Sequence, residues 1–247
     1  KFDIKDFKNP HIDNYEDYLT MYKSSVQNPS EFFLEHAKKE IDWFKVPKNG
    51  YTGELTQPRW FDDGKLNIAH NCIDRHVQNN PNKTAIIWQG DEKKNNKHIT
   101  YRELLNEVSK LANGLKSIGI KKGDRVCIYM PMIPQAAYAM LACMRIGAIH
   151  SVVFGGFSPE AISSRILDAD CQFVITADEG IRGGKRVRLK ENVDIALQTC
   201  PQVKKNIVFK YTKTEIKWNE GVDVCYQALV EGMSNECPCE EMSSEDP

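Results

Sequence analysis

Two glycine-containing loops carry the residues whose types and spacing could do chemistry. The stretch ADEGIRGGKRVRLK, residues 177–190, places five cations in nine positions around a glycine pair, just after an acidic pair. Arginine and lysine suit phosphate groups, and glycine lets the backbone approach a ligand closely. A second stretch, FGGFSPE, residues 154–160, has another glycine pair before a helix start. Together the two stretches predict a site for a phosphorylated ligand.

Each stretch also has an ordinary structural interpretation, and the residues alone leave both open. Gly155 and Gly156 could only shape a tight turn into a helix capped by Ser158. The cationic run could be a solvated face, which is the usual arrangement of clustered charges. The two glycines directly beside Arg182 and Lys185 favour binding slightly.

Both stretches must be positioned by a sheet, and the chain from about residue 84 has the pattern of one. Apolar strand segments alternate there with helical segments, and the strand segments are TAIIW, RVCIYMP, AIHSVVF, CQFVITA and KNIVFKYT. This alternation predicts an α/β fold with a parallel sheet flanked by helices. The two stretches each follow a strand, and ligands bind beyond the carboxyl ends of strands in such sheets.

Local signals mark several helix boundaries. Thr100 and Glu103 have the spacing of a capping box, and Gly119 follows where that helix should stop. Ser158 and Pro159 predict the start of the helix after AIHSVVF, because proline is favoured at the first helical position.

The first 75 residues are richer in aromatic residues and charges. Ser30 before EFFLEHAKKEIDWF is the expected helix N-cap, and LNIAHNCIDRHVQNNP carries a helical apolar stripe. Prolines and glycines between them indicate irregular chain. We therefore predict a mostly helical or irregular extension over residues 1–75, followed by the α/β domain over residues 76–247.

Composition excludes several function classes. Lys and Arg total 33 against 34 Asp and Glu, a net charge of −1, which argues against a general nucleic-acid or membrane binder. No apolar run approaches the roughly 18 residues of a membrane span. The opening KFDIKDFKNP lacks the apolar core of a secretory signal. Nothing in the residues indicates an oligomeric state.

Eight cysteines occur, several of them inside apolar runs such as RVCIYMP and MLACMRIGA. Buried reduced thiols are the simplest interpretation, and they fit a reducing compartment. Cys237 and Cys239 form the one close pair, but no second pair or histidine pair follows to complete a metal site. We therefore predict no metal site.

The common catalytic motifs are missing. The sequence contains no GxGxxG after the first strand, no GxxxxGK[ST] loop, no GxSxG and no HExxH. His70 and His76 lie six residues apart, which is poor spacing for shared metal ligation on a helix. No residue makes a convincing nucleophile or general base, so we assign no catalytic residue to this stretch of chain.

Four segments closely resemble the acetyl-coenzyme A synthetases, the acetate–CoA ligases of the adenylate-forming superfamily. The segments are WFDDGKLNIAHNCIDRH, MPMIPQAAYAMLACMRIGAIHSVVFGGFSPEA, ITADEGIRGGK and LKENVDIAL. The resemblance extends from about residue 15 to the end. Propionyl-CoA synthetases share much of the pattern, so propionate is an alternative substrate. Asp63 departs from the family, where glycine is more frequent.

The resemblance implies a two-step reaction. A carboxylate attacks ATP to give an acyl-adenylate and pyrophosphate, and the CoA thiol then displaces AMP. It further implies that the segment matching Arg182, Gly183, Gly184 and Lys185 binds the CoA nucleotide, with Gly156 close to the adenine. Arg182 is the expected first contact of the CoA 3′-phosphate, and Lys185 is the second. Arg186, Arg188 and Lys190 are expected to add only to the positive electrostatic field. CoA and ATP are substrates and Mg²⁺ is the expected metal.

The resemblance also leads us to expect an N-terminal part of a longer enzyme. The family's Ser/Thr/Gly-rich phosphate-binding loop, acyl pocket and magnesium ligand match nothing here, and we expect this part alone to be inactive. A non-catalytic CoA- or nucleotide-binding module is an alternative. An RNA-binding domain is a weaker alternative, because the sequence lacks the exposed aromatic platform that such domains use. We expect a cytoplasmic location, with an additional nuclear location as the alternative.

Overall fold

Residues 10–91 and 95–247 are described in a computed structural model, which divides the chain into two units. Residues 1–66 and 241–247 form the first unit, and Asn67–Glu240 form the second. The opening segment in which we predicted no secretory signal lies almost entirely outside the described residues. None of the described helices is both long and apolar enough to cross a membrane.

The first unit confirms a mixture of short helices and irregular chain. Its helices and strands are α1 Tyr15–Gln27, α2 Pro29–Glu40, β1 Tyr51–Glu54, β2 Gln57–Trp60, β3 Lys65–Leu66 and β13 Met242–Ser243. β1 and β2 form an antiparallel hairpin, and β13 pairs antiparallel with β3. Three aromatic rings cluster around the hairpin, where Trp60 makes edge contacts with Phe33 and Tyr51.

The predicted N-cap Ser30 is wrong by two residues. α2 begins at Pro29 and its N-cap is Asn28, because proline needs no N–H partner in the first turn. The Ser30 hydroxyl instead accepts a hydrogen bond from the Tyr51 N–H at 2.9 Å. The helix also ends at Glu40, earlier than the sequence pattern suggests.

The second unit begins before the predicted domain boundary at residue 75. A π-helical turn, His70–Asp74, leads into α3, Arg75–Asn79, and the side chain of Ile73 is fully buried in the core of this unit. Asp74 forms a two-bond ion pair with the buried guanidinium of Arg145, at 2.8 and 2.9 Å. These contacts tie residues 67–75 to the α/β unit rather than to the preceding extension.

The rest of the second unit alternates strands with helices. Its further elements are β4 Thr84–Trp88, β5 Lys97–Thr100, α4 Tyr101–Ser117, β6 Arg125–Met130, α5 Pro134–Arg145, β7 Ile149–Phe154, α6 Pro159–Asp168, β8 Phe173–Ala177, β9 Gly180–Arg182, β10 Lys185–Val187, α7 Leu189–Leu197, β11 Lys205–Phe209, β12 Asp223–Cys225 and α8 Tyr226–Val230. Five of these strands form one parallel sheet in the order β12-β11-β8-β6-β7. The predicted α/β fold is confirmed.

One strand assignment within that sheet is wrong. TAIIW does form a strand, β4, but it pairs antiparallel with β5 in a separate hairpin. Residues 97–100 provide a pairing partner only a short loop away, so β4 needs no place in the parallel sheet. The fifth parallel strand is instead β12, which is only three residues long and begins with a charged residue. Such a segment has too little apolar pattern to be found from sequence.

Alternate residues of the parallel strands face two different cores. Val126, Ile128 and Met130 of β6 contact the core that contains α4 and α5. Cys127 and Tyr129 face the opposite core, which contains α6 and α7. This two-residue alternation buries both faces of the sheet, as the continuous apolar strands predict.

The predicted helix boundaries hold for α4 and α6. The Thr100 hydroxyl accepts from the Glu103 N–H at 3.2 Å, and the Glu103 carboxylate accepts from the Thr100 N–H at 2.8 Å. These two bonds complete the capping box. Gly119 follows α4 with φ at 94°, as a helix stop requires. Ser158 caps α6 and Pro159 is its first residue.

Candidate functional site

The loops that carry the predicted site residues leave the parallel sheet at the same edge. β7 and β8 both pair with β6, so the loops after them flank the carboxyl end of β6. The first loop begins at Gly155, and the second runs from Asp178 into β9 and β10. Ligands of open parallel sheets bind at this edge.

The cationic run is a β-hairpin rather than an irregular loop. β9 and β10 pair antiparallel, with Arg182 opposite Lys185. Gly183 and Gly184 make the two-residue turn with φ at 57° and 74°. Two positive φ values match the twist of a tight hairpin, and residues with a side chain are strained there. The glycine pair therefore sets two cations opposite each other.

Arg182 connects this hairpin with the loop after β7. Its guanidinium lies over the Phe154 ring, 5.3 Å from the centroid. A Cβ atom added to Gly156 would lie 2.9 Å from the same ring and 3.8 Å from the guanidinium Nη1. The structure thus brings Gly156 and Arg182 together, as the two-loop prediction requires. The absent side chain at Gly156 leaves room beside both the ring and the cation.

The loop after β7 is held closely against the end of β6. A Cβ atom added to Gly155 would lie 2.9 Å from the Met130 carbonyl oxygen, so this position needs glycine for space. The buried Tyr129 hydroxyl donates to the Phe157 carbonyl oxygen at 2.9 Å. Burial raises the pKa of Tyr129, which therefore stays a protonated donor. These contacts fix the position of the loop against the end of β6.

Three of the five cations in the run are engaged within the protein. Lys190 is fully buried, and its ammonium lies 2.5 Å from Asp194 and 2.9 Å from Asp223. Arg188 pairs with Glu191 at 3.2 Å on the surface. The expectation that Lys190 adds only to the field is wrong, because its charge is neutralised in the core.

Arg186, the third of these cations, is bound by Glu179. Its guanidinium lies 2.8 Å from the buried Glu179 carboxylate, which also accepts from the hydroxyls of Thr212 and Thr214 at 3.0 and 2.9 Å. Burial acts to raise the pKa of Glu179, but the bonds from Thr214, Thr212 and Arg186 together lower it. Arg182 and Lys185 are exposed and form no ion pair with any residue in the described ranges 10–91 and 95–247.

The acidic pair before the hairpin anchors it to the next strand. The buried Asp178 carboxylate accepts from the N–H groups of Glu179, Tyr211 and Thr212 at 2.7, 2.8 and 3.1 Å. Tyr211 and Thr212 follow β11, so Asp178 joins the ends of two neighbouring strands. The acidic residues therefore support the base of the hairpin.

A cavity of about 470 Å³ lies beside Arg182 at this edge. Its walls come from the segments after β4, β6 and β11 and from the hairpin. Its lining residues are Trp88, Gln89, Gly90, Asp91, Pro131, Met132, Ile133, Ile181, Arg182 and Tyr211. Burial, and then the Asp91 carboxylate, raise the pKa of the Tyr211 phenol. A pocket with both polar and apolar walls, lined in part by Arg182, thus lies at this edge of the sheet.

Two family models together match the whole of the chain beyond residue 17. A model described as "AMP-binding enzyme" matches residues 73–247, and one described as "Acetyl-coenzyme A synthetase N-terminus" matches residues 18–72. The chain belongs to the AMP-binding enzyme family.

The alignments with curated relatives cover this chain almost completely. An acetyl-coenzyme A synthetase of Gamma-proteobacterium EBAC31A08 is 54% identical over 243 residues, which is 98% of this chain and 38% of the relative. Acetyl-coenzyme A synthetase 2 of Pseudomonas aeruginosa is 55% identical over 236 residues, 95% of this chain and 37% of the relative. The chain thus spans somewhat more than a third of the length of these relatives.

A solved structure shares the fold. Acetoacetyl-CoA synthetase from Streptomyces lividans superposes with a TM-score of 0.84 at 22% identity, covering 93% of this chain and 35% of that one. At this identity the likeness shows the fold alone. The parallel sheet with helices on both faces is therefore the architecture of this part of an AMP-binding enzyme.

Several residues at this edge of the sheet were not singled out from sequence. Phe154 and Asp91 received no role, and Asp178 and Glu179 were noticed only as an acidic pair. Phe154 directly precedes the glycine pair Gly155 and Gly156, and this adjacency is the sequence signal that could have indicated its role. Asp91 lies about 90 residues before the hairpin that it contacts, so no local pattern connects the two.

The eight cysteines of the chain are free thiols. Cys127, Cys143, Cys171, Cys200 and Cys237 are buried. Burial raises the pKa of the Cys127 and Cys143 thiols to about 12. Within the described part of the chain, no group of three or more His, Cys, Asp or Glu residues could hold a metal ion.

Proposed function

We propose that the full-length protein is an AMP-forming acetate–CoA ligase. Acetate would attack the α-phosphorus of ATP, giving acetyl-adenylate and pyrophosphate, and the CoA thiol would then replace AMP to give acetyl-CoA. The curated relatives at 54–55% identity carry the name acetyl-coenzyme A synthetase, and they support acetate over propionate as the substrate.

The observation that carries a local role for this chain is the position of Arg182. Its exposed guanidinium is held over Phe154 and beside Gly156, and it pairs with no described carboxylate. Arginine presents several N–H donors in a fixed plane, which suits the oxygens of a phosphate. Lys185 adds a second unpaired cation on the facing strand. We assign the 3′-phosphate of CoA to these two side chains.

The adenine of CoA is assigned to the surface next to Gly156. Phe154 and Phe157 are both partly exposed there, with their rings edge to face at 5.9 Å between centroids. Aromatic rings offer flat apolar area to a base, and the missing side chain at Gly156 leaves that area open. Gly183 and Gly184 contribute by shaping the turn between the two cations.

ATP and Mg²⁺ are assigned to other parts of the full-length protein. None of the described residues forms a cluster of carboxylates and histidines suited to a metal ion. No step of the reaction is therefore attributed to a metal held by this segment. The segment instead provides a binding surface for CoA, which acts in the second step.

Product formation in the full-length protein tests the proposal. With acetate, ATP, Mg²⁺ and CoA, we expect acetyl-CoA and AMP in equal amounts, and faster turnover with acetate than with propionate. Binding of CoA without any acyl-CoA product would contradict the ligase and support a non-catalytic binding module. Faster turnover with propionate would contradict the acetate assignment alone.

A further inference from the structure

A carboxylate accepts hydrogen bonds from both backbone N–H groups of the hairpin turn. The Gly183 N–H donates to Asp91 Oδ1 at 2.9 Å, and the Gly184 N–H donates to Asp91 Oδ2 at 2.9 Å. Both carboxylate oxygens are used, one for each amide. The turn amides, which could otherwise bind an anionic ligand, are therefore engaged by the protein itself.

The segment that carries Asp91 is itself held in place by hydrogen bonds. β4 ends at Trp88, whose indole N–H donates to the Met132 carbonyl oxygen at 2.8 Å. Beyond it, the Gly90 N–H donates to the Asn96 side-chain oxygen at 3.3 Å, and the Asn96 amide donates to Gln89 at 3.0 Å. Trp88, three residues before Asp91, thus ties this segment to the one after β6, so that Asp91 can fix the turn relative to the sheet edge.

A two-glycine turn needs such an external support. Glycine loses more conformational freedom on ordering than any other residue, and Gly183 and Gly184 have no other atom within 4 Å of a Cβ position. Without Asp91 the hairpin tip would be held only from its base, at Asp178 and Glu179, and by the contact of Arg182 with Phe154. The two residues that flank the turn are Arg182 and Lys185, the cations assigned to the CoA phosphate.

We propose that Asp91 is a positioning residue for CoA recognition: its carboxylate, by binding the turn amides, holds Arg182 and Lys185 in the geometry that receives the 3′-phosphate. This inference rests on the proposed function. Asp91 does not touch CoA in this arrangement; it acts through the turn. Pre-organising the cations in this way reduces the ordering cost of binding.

If Asp91 acted only through its negative charge, its neutralisation would strengthen CoA binding rather than weaken it, and this difference makes the inference testable. A carboxylate near a phosphate site repels the phosphate, so removal of its charge should strengthen CoA binding. Loss of the support should weaken it. Asp91→Asn keeps the shape of the side chain but replaces one acceptor oxygen with an NH₂ group, which cannot accept from a turn N–H.

The experiment compares full-length wild type, Asp91→Asn, Arg182→Ala and the double variant. The affinity for CoA and for 3′-dephospho-CoA is measured by calorimetric titration, and ATP–pyrophosphate exchange with acetate is measured without CoA. We expect Asp91→Asn to lose roughly five- to twentyfold of the preference for CoA over 3′-dephospho-CoA, since charge-assisted bonds hold the turn. Exchange should stay unchanged. The double variant should lose less of the preference than the two single losses combined, because Asp91 acts through the turn that carries Arg182.

Glu191→Gln is the matched control. It removes one exposed carboxylate from the same region, where Glu191 pairs with Arg188, but it supports no turn. We expect no loss of the preference for CoA. An equal loss in this control would show that the effect does not depend on support of the turn, and it would overturn the inference.

Three other results would also overturn it. They are an unchanged or stronger preference for CoA in Asp91→Asn, a parallel loss of exchange activity, and an additive loss in the double variant. Failure of the underlying function has a different signature, because Arg182→Ala itself would then leave the preference for CoA unchanged.

Discussion

The guanidinium of Arg182 lies 5.3 Å from the centre of the Phe154 ring, and this contact joins the hairpin after β8 to the loop after β7. A cation over an aromatic face is attracted by the ring while its N–H groups in the plane stay available. The same guanidinium is thus both fixed in place and free to bind. This relationship makes the edge of the sheet a candidate phosphate site.

Arg182→Ala should weaken binding of CoA by the full-length protein about tenfold to hundredfold, because one charge-assisted contact is removed. Binding of 3′-dephospho-CoA should change little, and titration with both ligands measures the difference. Arg188→Ala is the control, because this exposed cation of the same run pairs with Glu191. Equal losses for the two ligands would remove the phosphate from the assignment.

Gly184→Ala should destabilise the protein by about 1–2 kcal/mol, because φ is 74° and a side chain is strained in that region. Gly119→Ala is matched to it, since φ is 94° there and neither position has an atom within 4 Å of an added Cβ. Both variants should unfold at similarly reduced denaturant concentrations. Only Gly184→Ala should raise the KM for CoA, because Gly119 lies far along the chain from the hairpin. A normal KM for CoA in Gly184→Ala would show that the turn geometry is unimportant for binding.

Lys190→Ala should cost about 3–5 kcal/mol of unfolding free energy, since it leaves the Asp194 and Asp223 carboxylates beside an empty buried site. Arg188→Ala, two residues earlier and exposed, should cost less than about 0.5 kcal/mol. Chemical denaturation of the two variants gives both values. A small effect at Lys190 would mean that water or a neighbouring cation replaces the ammonium.

Glu179 should make stability dependent on pH in the acid range. The hydrogen bonds from Thr214, Thr212 and Arg186 outweigh burial and hold its pKa below the usual 4.5. A carboxyl with a lowered folded-state pKa stabilises the fold above the unfolded-state pKa, and this stabilisation is lost as pH falls through the folded-state value. Glu179→Gln should therefore flatten the decline of stability below about pH 4.5.

Denaturation of wild type and Glu179→Gln between pH 3 and pH 7 measures this effect. Thr214→Val, which removes one of the donors to Glu179, should give an intermediate profile. Parallel curves for wild type and Glu179→Gln would contradict the lowered pKa.

The amino-acid sequence by itself determined the class of the fold and the edge of the sheet at which the two glycine loops lie. The alternation of apolar strands with helices, the capping box at Thr100 and Glu103, and the helix start at Pro159 are local patterns, and the structure confirms each. Two glycine loops that each follow a strand of one parallel sheet had to lie at the same edge of that sheet. Local periodicity and capping are encoded within a few residues, so they can be read directly.

Only the tertiary structure decided how the individual charges are used. Lys190 looks like the other cations in sequence, but it is buried between two carboxylates. Asp91 binds a turn 92 residues away, and TAIIW pairs in a local hairpin rather than in the parallel sheet. These outcomes depend on which distant groups the folded chain brings within hydrogen-bond distance, and no local pattern contains that information.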